Sequence, residues 1–383
     1  MIPPQRDSRI TSQPEQVTRE DWCRGYFEYP GLTVQVLETQ TIIPASYTVN
    51  PAAFLFKLAN GELVAGARYG EYNQWNRPDA ESDIKDEPPW MRSTDGGSCW
   101  DETPPWPSYS SCQMPGGEII SLGRTHLEVG DREGEYTTWL YSSTDNGYTH
   151  EQGVATLVGV PKMILMHHDS GRTLPWGWVD HSVTVLPDGS LLAGLHGRFE
   201  SDVKYRVFVV RSTDHGKTWH YLSTVVFDLD PGSDRRQNGF CEPKLLVLPS
   251  GEILCFIRSG GTYNATFSPL YLSRSIDGGR SWSHADEIAD RGVWPQACRM
   301  DSGVLALAYG RTGDWLAFSI DEGYHWIGHF CYFHGPQSLD GCSHGAVEEV
   351  EPGTLLVAYA RTDFNDPCQS ELLGTVVQVC REP

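Results

Sequence analysis

Apolar residues recur along this chain in short runs, each broken by a glycine turn and answered by a second apolar run. Val183-Thr184-Val185-Leu186-Pro187-Asp188-Gly189-Ser190-Leu191-Leu192-Ala193 is one example, and Leu245-Leu246-Val247-Leu248-Pro249-Ser250-Gly251-Glu252-Ile253-Leu254 is another. Runs this short, rich in β-branched residues and bounded by Pro, Asp, Ser and Gly, predict β-hairpins rather than helices. The turn glycines are Gly61, Gly117, Gly189, Gly251, Gly303 and Gly353, which predicts six hairpins.

A second repeat is interleaved with the first. Ser93-Thr94-Asp95-Gly96-Gly97-Ser98-Cys99-Trp100 has the form Ser-x-Asp-x-Gly-x-x-Trp. It returns at Ser212 to Trp219, Ser275 to Trp282 and Ser319 to Trp326, and in degenerate form at Ser143 to His150. The chemistry suits a strand-to-strand turn: the carboxylate accepts backbone N–H groups, the glycine supplies φ > 0, and the Trp packs as the chain re-enters a strand. These aspartates therefore read as structural. Six hairpins, five of them followed by such a turn, predict an all-β, six-bladed β-propeller of four-stranded antiparallel blades. The last hairpin lacks the turn. Its blade would be completed by Leu372–Val379 and an N-terminal segment such as Leu32–Leu37, which closes the ring and removes a sheet edge. A single domain spanning 1–383 follows, with the propeller starting at about residue 30. Arg77 to Trp90 and Pro104 to Pro115 read as long surface loops.

Composition agrees with this reading and narrows the partners. The 383 residues include 13 Trp, 17 Tyr, 39 Gly and 25 Pro, a mixture suited to short strands and tight turns. Formal charge is −21, which opposes nucleic acid and anionic membrane while leaving room for a local cluster of arginines. No apolar run is long enough to span a bilayer. Met1 to Asp7 lacks the apolar core of a signal peptide, so the expectation is a cytoplasmic protein, or a secreted one whose signal has been removed. The ten cysteines show no zinc spacing, and reduced thiols are expected, although Cys368 and Cys380 could meet across a hairpin. His167-His168 read as a loop pair rather than metal ligands. No phosphate-loop or dinucleotide fingerprint is present, so no cofactor is expected.

Repeat register then points to a site. Nine residues before the turn glycines stand Ala52, Asp180, Glu242, Trp294 and His344, at the entry to the innermost strand and hence facing the central pocket. Seven or eight residues after the glycines stand Arg68, Arg124, His196, Arg258, Arg311 and Arg361. A basic side chain at one register in every repeat of an acidic chain suggests a funnel for a carboxylate, which Arg can grip with two parallel hydrogen bonds. Bracing of the blades by arginine–carboxylate pairs is the alternative.

The repeats and this register resemble the sialidase superfamily, over nearly the whole chain from about residue 30. Such enzymes carry a Glu followed sixteen residues later by an Arg, matched here by Glu242 and Arg258. They also place an Arg eight residues before the Ser of an Asp box, matched by Arg311 before Ser319. The resemblance thus implies two members of an arginine triad and the glutamate that assists the nucleophile. Other positions depart: Pro51 stands where the first arginine is expected and His344 where the nucleophilic tyrosine is expected, and the acid/base aspartate has no match.

Three functions are compatible with these residues. A sialidase-like exo-glycoside hydrolase on an acidic mono- or oligosaccharide would use Glu242 and an unidentified acid. A uronate-directed lyase would use His344 or His181 as base, the latter beside Asp180. A non-catalytic glycan-binding propeller would use the cations alone. The hydrolase ranks first, with Glu242, His344, Asp180 and His181 as catalytic candidates. Arg258, Arg311, Arg68, Arg124, His196, Arg361 and Trp294 are the substrate-binding candidates.

Overall fold

Each glycine of the hairpin repeat sits where the chain must reverse within a few residues. In the computed structural model, which describes residues 25–47, 49–69, 88–123, 127–167, 173–228, 238–260, 268–311, 313–333, 344–361 and 370–382, all six have positive φ, from 78° at Gly353 to 92° at Gly117. The turn is closed the same way at five of them, whereas the Gly353 N–H donates to Glu349 Oε1 at 2.9 Å. Gly189 N–H donates to Leu186 O at 2.9 Å and Leu186 N–H to Ser190 O at 2.8 Å, and Gly251 repeats the pattern with Leu248 and Glu252. Apolar strands leave these turns and pair antiparallel.

Six such units form the ring. Blade I comprises Val49–Lys57, Leu63–Tyr69, Trp90–Ser93 and Asp101–Thr103; blade II comprises Ser110–Gln113, Ile119–Leu122, Tyr136–Ser143 and Glu151–Val158. Blade III is Gly177–Val185, Leu191–Gly197, Arg206–Ser212 and Thr218–Val226, and blade IV is Gly239–Val247, Ile253–Gly260, Leu270–Ser275 and Asp286–Ala289. Blade V is Val293–Arg299, Leu305–Gly310, Asp314–Ser319 and Ile327–Phe333. Blade VI takes Ala346–Glu351, Thr354–Arg361 and Ser370–Arg381 from the end of the chain and Leu32–Tyr47 from its beginning, and Gly25–Tyr29 pairs with the last of these as a fifth, outer strand beyond the four expected. The predicted closure is therefore observed, with Val34 opposite Val379 and Val36 opposite Val377.

Apolar side chains fill the spaces between blades. Six clusters of buried residues each bridge one neighbouring pair, from blades I and II (Phe54, Val64, Trp106, Ile119) round to blades VI and I (Ile42, Ala53, Leu63, Leu356). A seventh, small cluster of Ala52, Val293 and Trp294 lies at the axis, packed by Tyr109. Blades II and III are additionally joined at their outer strands, where Leu157 and Trp219 pair in a parallel register. Among the described residues no helix is long and apolar enough to cross a membrane.

The five Ser-x-Asp turns have one geometry. In the third, Asp214 Oδ1 accepts from Ser212 Oγ at 2.8 Å and from Thr218 N–H at 2.9 Å, while Ser212 Oγ accepts from Gly216 N–H at 3.0 Å. Trp219 is fully buried and donates to Gly216 O at 2.7 Å. Two consecutive residues have positive φ here, His215 at 58° and Gly216 at 78°, and a Cβ on Gly216 would press on Ile120 of blade II. These turns lie at the end of the ring that carries the hairpin glycines, opposite the entries of the innermost strands. At three of the five an arginine before the Ser braces the turn: Arg92 pairs with Glu62 at 2.5 Å and Arg274 with Glu252 at 2.9 Å, and Arg211 pairs with Asp188. Replacing Asp214 with alanine is expected to lower stability by about 0.5–2 kcal/mol, the scale of a lost side-chain cap. Chemical denaturation should show that loss, and turnover per folded molecule should stay unchanged.

Candidate active site at the axis

A strand that runs straight past the axis would point alternate side chains into its neighbours. Four innermost strands instead break register nine residues before their turn glycine, between Val49 and Ala53, Val179 and Val183, Cys241 and Lys244, and Val293 and Gln296. Such bulges bend the strand and re-aim one side chain. At two of them a non-glycine residue takes a left-handed backbone, Glu242 at φ 48° and Trp294 at φ 53°. A left-handed conformation at a bulky residue costs energy and recurs where function or packing demands it.

Glu242 is the centre of the arrangement. Its Oε1 accepts from Arg258 Nη1 at 2.6 Å and its Oε2 from the Trp294 N–H at 2.9 Å. Burial pushes its pKa up, but Arg258, His344, the Trp294 amide and His181 outweigh that and hold the carboxyl well below the usual range. Glu242 is thus an ionised carboxylate in a buried site. The sixteen-residue spacing to Arg258 corresponds to a direct ion pair across the hairpin.

Trp294, a substrate-binding candidate by its register, presents no surface to a ligand, and its indole fills the axis. Its ring lies 4.2 Å from that of His181, 5.1 Å from His344 and 6.1 Å from Tyr109. Tyr109 in turn donates to Ala52 O at 3.0 Å, and Ala53 N–H donates to His344 O at 2.8 Å. His181 Nε2 donates to Pro295 O at 2.9 Å. The positive φ rotates the Trp294 side chain inward, and every blade then packs against it. Asp180, His181 and His344 are all buried beside it.

The other expected cations divide by register. Arg258 and His196 stand seven residues after their glycines, and each meets the residue nine before it: Arg258 meets Glu242, and His196 Nδ1 meets Asp180 Oδ2 at 2.5 Å. Arg311 and Arg361 stand eight after theirs, and in a strand one residue of offset turns a side chain to the opposite face. Arg361 accordingly pairs with Glu371 on the neighbouring strand and is half-exposed, so it braces blade VI and does not contribute to a funnel. Arg311 is buried and attracts Asp314, whose carboxyl is pushed well above its ordinary value by burial, with Arg311 opposing. The Arg68 side chain, Arg124, the His167 side chain, His168 and Cys368 lie outside the described residues. Cys380 and the other described cysteines are free thiols.

An aromatic wall beside His196 was not anticipated. Trp178 stacks on the imidazole at 4.9 Å and 9°, and Tyr205 meets His196 edge-on at 5.3 Å and Trp178 at 5.5 Å. Trp176 Nε1 donates to Tyr205 Oη at 2.5 Å. Trp176, Trp178 and Tyr205 keep part of their surface exposed. The sequence signal was available: Trp178 lies opposite His196 in the hairpin register, in the run Trp176-Gly177-Trp178-Val179-Asp180-His181. Tyr205 reaches the wall from a loop, and no periodicity marks it.

Family and fold comparisons bear on this site. Residues 111–331 match the model of the BNR repeat-like domain, which is more than half of the chain. The chain belongs to the BNR repeat-like family. No curated sequence relative matches this BNR propeller. Solved structures do. A Dyadobacter fermentans protein of unknown function superposes with a TM-score of 0.66 at 16% identity, covering 92% of this chain and 100% of that one. An α-L-arabinanase of Penicillium chrysogenum, complexed with arabinobiose, gives 0.61 at 17% identity, covering 90% and 98%. The NanB sialidase of Streptococcus pneumoniae gives 0.57 at 13% identity, covering 88% and 70%. At these identities the likeness is one of fold. Glycoside hydrolases with different sugars share it, which agrees with the propeller expected from the repeats and leaves the chemistry to the residues of the site.

Proposed function

We propose that this BNR propeller is a glycoside hydrolase acting at the axial end where the innermost strands enter. The observation that carries the proposal is Glu242, an ionised carboxylate held in a buried site by Arg258 and the Trp294 amide. Glycosidic cleavage builds positive charge at the anomeric carbon, and a fixed, water-poor carboxylate stabilises it. Glu242 serves as nucleophile or charge stabiliser rather than as acid, because its own proton is lost far below neutrality. The solved arabinanase and sialidase of the same fold lend support to the reaction class.

For the sugar, the balance of charge favours a neutral ring over an acidic one. Arg258 is answered by Glu242, Arg361 by Glu371 and His196 by Asp180, so three of the four expected cations among the described residues are paired within the blades. Trp178 and Tyr205 offer the flat apolar surface on which sugar rings stack. Among the described residues the acidic-sugar reading keeps one support, Arg311, whose spacing before Ser319 matches the arginine of sialidase-like enzymes. A panel of α-L-arabinofuranosides, sialosides and glucuronides decides between them. The expected result is release of neutral sugar without a product absorbing in the near ultraviolet. Preferred cleavage of sialosides or glucuronides would establish the acidic reading. A near-ultraviolet product would mean β-elimination, with His344 or His181 as base, and would overturn the hydrolase proposal.

A further inference from the structure

A site whose glutamate is fixed in its ionised form still needs a group that can give up a proton and take one back. Blades III and IV offer a controlled comparison. Each places a carboxylate nine residues before the turn glycine and a basic group seven after it, and each joins the two: Asp180 with His196, Glu242 with Arg258. The geometry repeats while the chemistry differs. Guanidinium keeps its charge at any pH a protein meets, whereas imidazole titrates near neutrality.

The surroundings of His196 are ordered for that role. Nδ1 faces Asp180 Oδ2, which fixes the ring and its tautomer and leaves Nε2 as the nitrogen that exchanges a proton with a ligand. Trp178 lies flat on the ring and Tyr205 meets it edge-on, so two aromatic neighbours hold its orientation. The side chain retains 11% exposure, against 3% for Asp180. Among the described residues, Asp180 on its own blade pairs with His196, Tyr205 meets the ring from the loop before the third strand, and Cys241 of blade IV lies within electrostatic reach of Asp180 as well as of Glu242 and Arg258. His181, by contrast, has Nε2 engaged with Pro295 O beneath the Trp294 ring.

Building on the hydrolase reading above, we infer that His196, oriented by Asp180, is the proton-transfer residue of this site. In the bond-breaking step the Nε2 proton moves to the glycosidic oxygen, and the C–O bonding pair leaves with that oxygen. The positive charge left on the anomeric carbon faces the Glu242 carboxylate. Water then bonds to that carbon, and the proton it sheds returns to Nε2, so the site is restored with no further reactant.

The test separates proton donation from packing by the leaving group. A nitrophenolate departs without a proton, and a methoxide does not. Methyl and 4-nitrophenyl glycosides of α-L-arabinofuranose and of N-acetylneuraminic acid are assayed with wild type, His196→Gln and Asp180→Asn. In His196→Gln, kcat for the methyl glycoside should fall by ~100-fold or more, the usual worth of a positioned acid, and for the nitrophenyl glycoside by less than ~10-fold, with little change in KM. Retained nitrophenyl turnover also certifies that the variant is folded. Asp180→Asn weakens the grip on Nδ1 that orients the ring, so it should lower kcat for the methyl glycoside and largely spare the nitrophenyl glycoside. Equal losses on both glycosides in either variant would overturn the role of His196 while leaving the hydrolase reading intact. A wild type that cleaves none of the four, and no glucuronide, would overturn the hydrolase reading and His196 with it.

Discussion

Trp294→Ala is expected to lower the free energy of unfolding by about 3–5 kcal/mol, the range for removing a fully buried Trp. The size of the effect follows from where the indole lies. It belongs to blade V, has no exposed surface, and packs against Ala52 of blade I, Tyr109 beside blade II, His181 of blade III and His344 at blade VI. Its backbone N–H is bound by Glu242 of blade IV. A cavity at this point cannot collapse, because six blades packed against one another hold its walls apart. Alanine also keeps the unfavourable left-handed backbone while losing the packing that offsets it. Denaturant titration measures the loss, and a cost below about 1 kcal/mol would contradict the axial packing described for this residue.

Glu242→Ala should produce the largest combined effect. Arg258 would be left largely buried without its charge partner and the Trp294 amide without its acceptor. Breaking such a pair from one side costs about 3–5 kcal/mol, because the surviving charge is uncompensated. Glu242→Gln separates charge from shape. The folded state holds Glu242 below its ordinary pKa of 4.5, so it binds fewer protons there than the unfolded chain does. Stability from this group is therefore present above the ordinary glutamate pKa and is lost as pH falls through the depressed value. The stability gap between wild type and Glu242→Gln should be widest near neutrality and shrink in acid. Turnover should be abolished in both variants, the glutamine form being the informative one because it retains the site's shape. A gap that is flat with pH would show that Glu242 is not held ionised by its neighbours.

Much of the ring was legible because each of its devices is local. A glycine that must take positive φ, a Ser-x-Asp turn closed by its own side chains, and alternating apolar strands all lie within windows of about a dozen residues. The strand that closes blade VI was legible too, since the last hairpin lacked its own completion. The site was harder. Glu242 with Arg258, and the interior placement of Asp180, His181 and His344, follow from repeat register. Register alone could not tell offset seven from offset eight, and that single residue separates Arg258, joined to Glu242, from Arg361, which braces a sheet. Nor could it show that Trp294 takes a left-handed backbone and turns inward to fill the axis. Tyr205 comes from a loop, and only the tertiary structure brings it to His196.

The sharing of blade VI between the two ends of the chain also sets an order of events during synthesis. Blades I to V are each built from consecutive strands, so each can pair soon after it leaves the ribosome. Leu32–Tyr47 can form a hairpin with Gly25–Tyr29 at once, but its inner partner Ser370–Arg381 is made more than three hundred residues later. Until then Leu32, Val34 and Ile43, all fully buried in the finished ring, have no blade to enter. The unclosed ring presents an apolar hairpin edge on one side and an incomplete blade VI on the other. The interval between translation of the fifth blade and of Ser370–Arg381 is thus when this ring is most exposed to association with another copy, and when a chaperone would have most to hold.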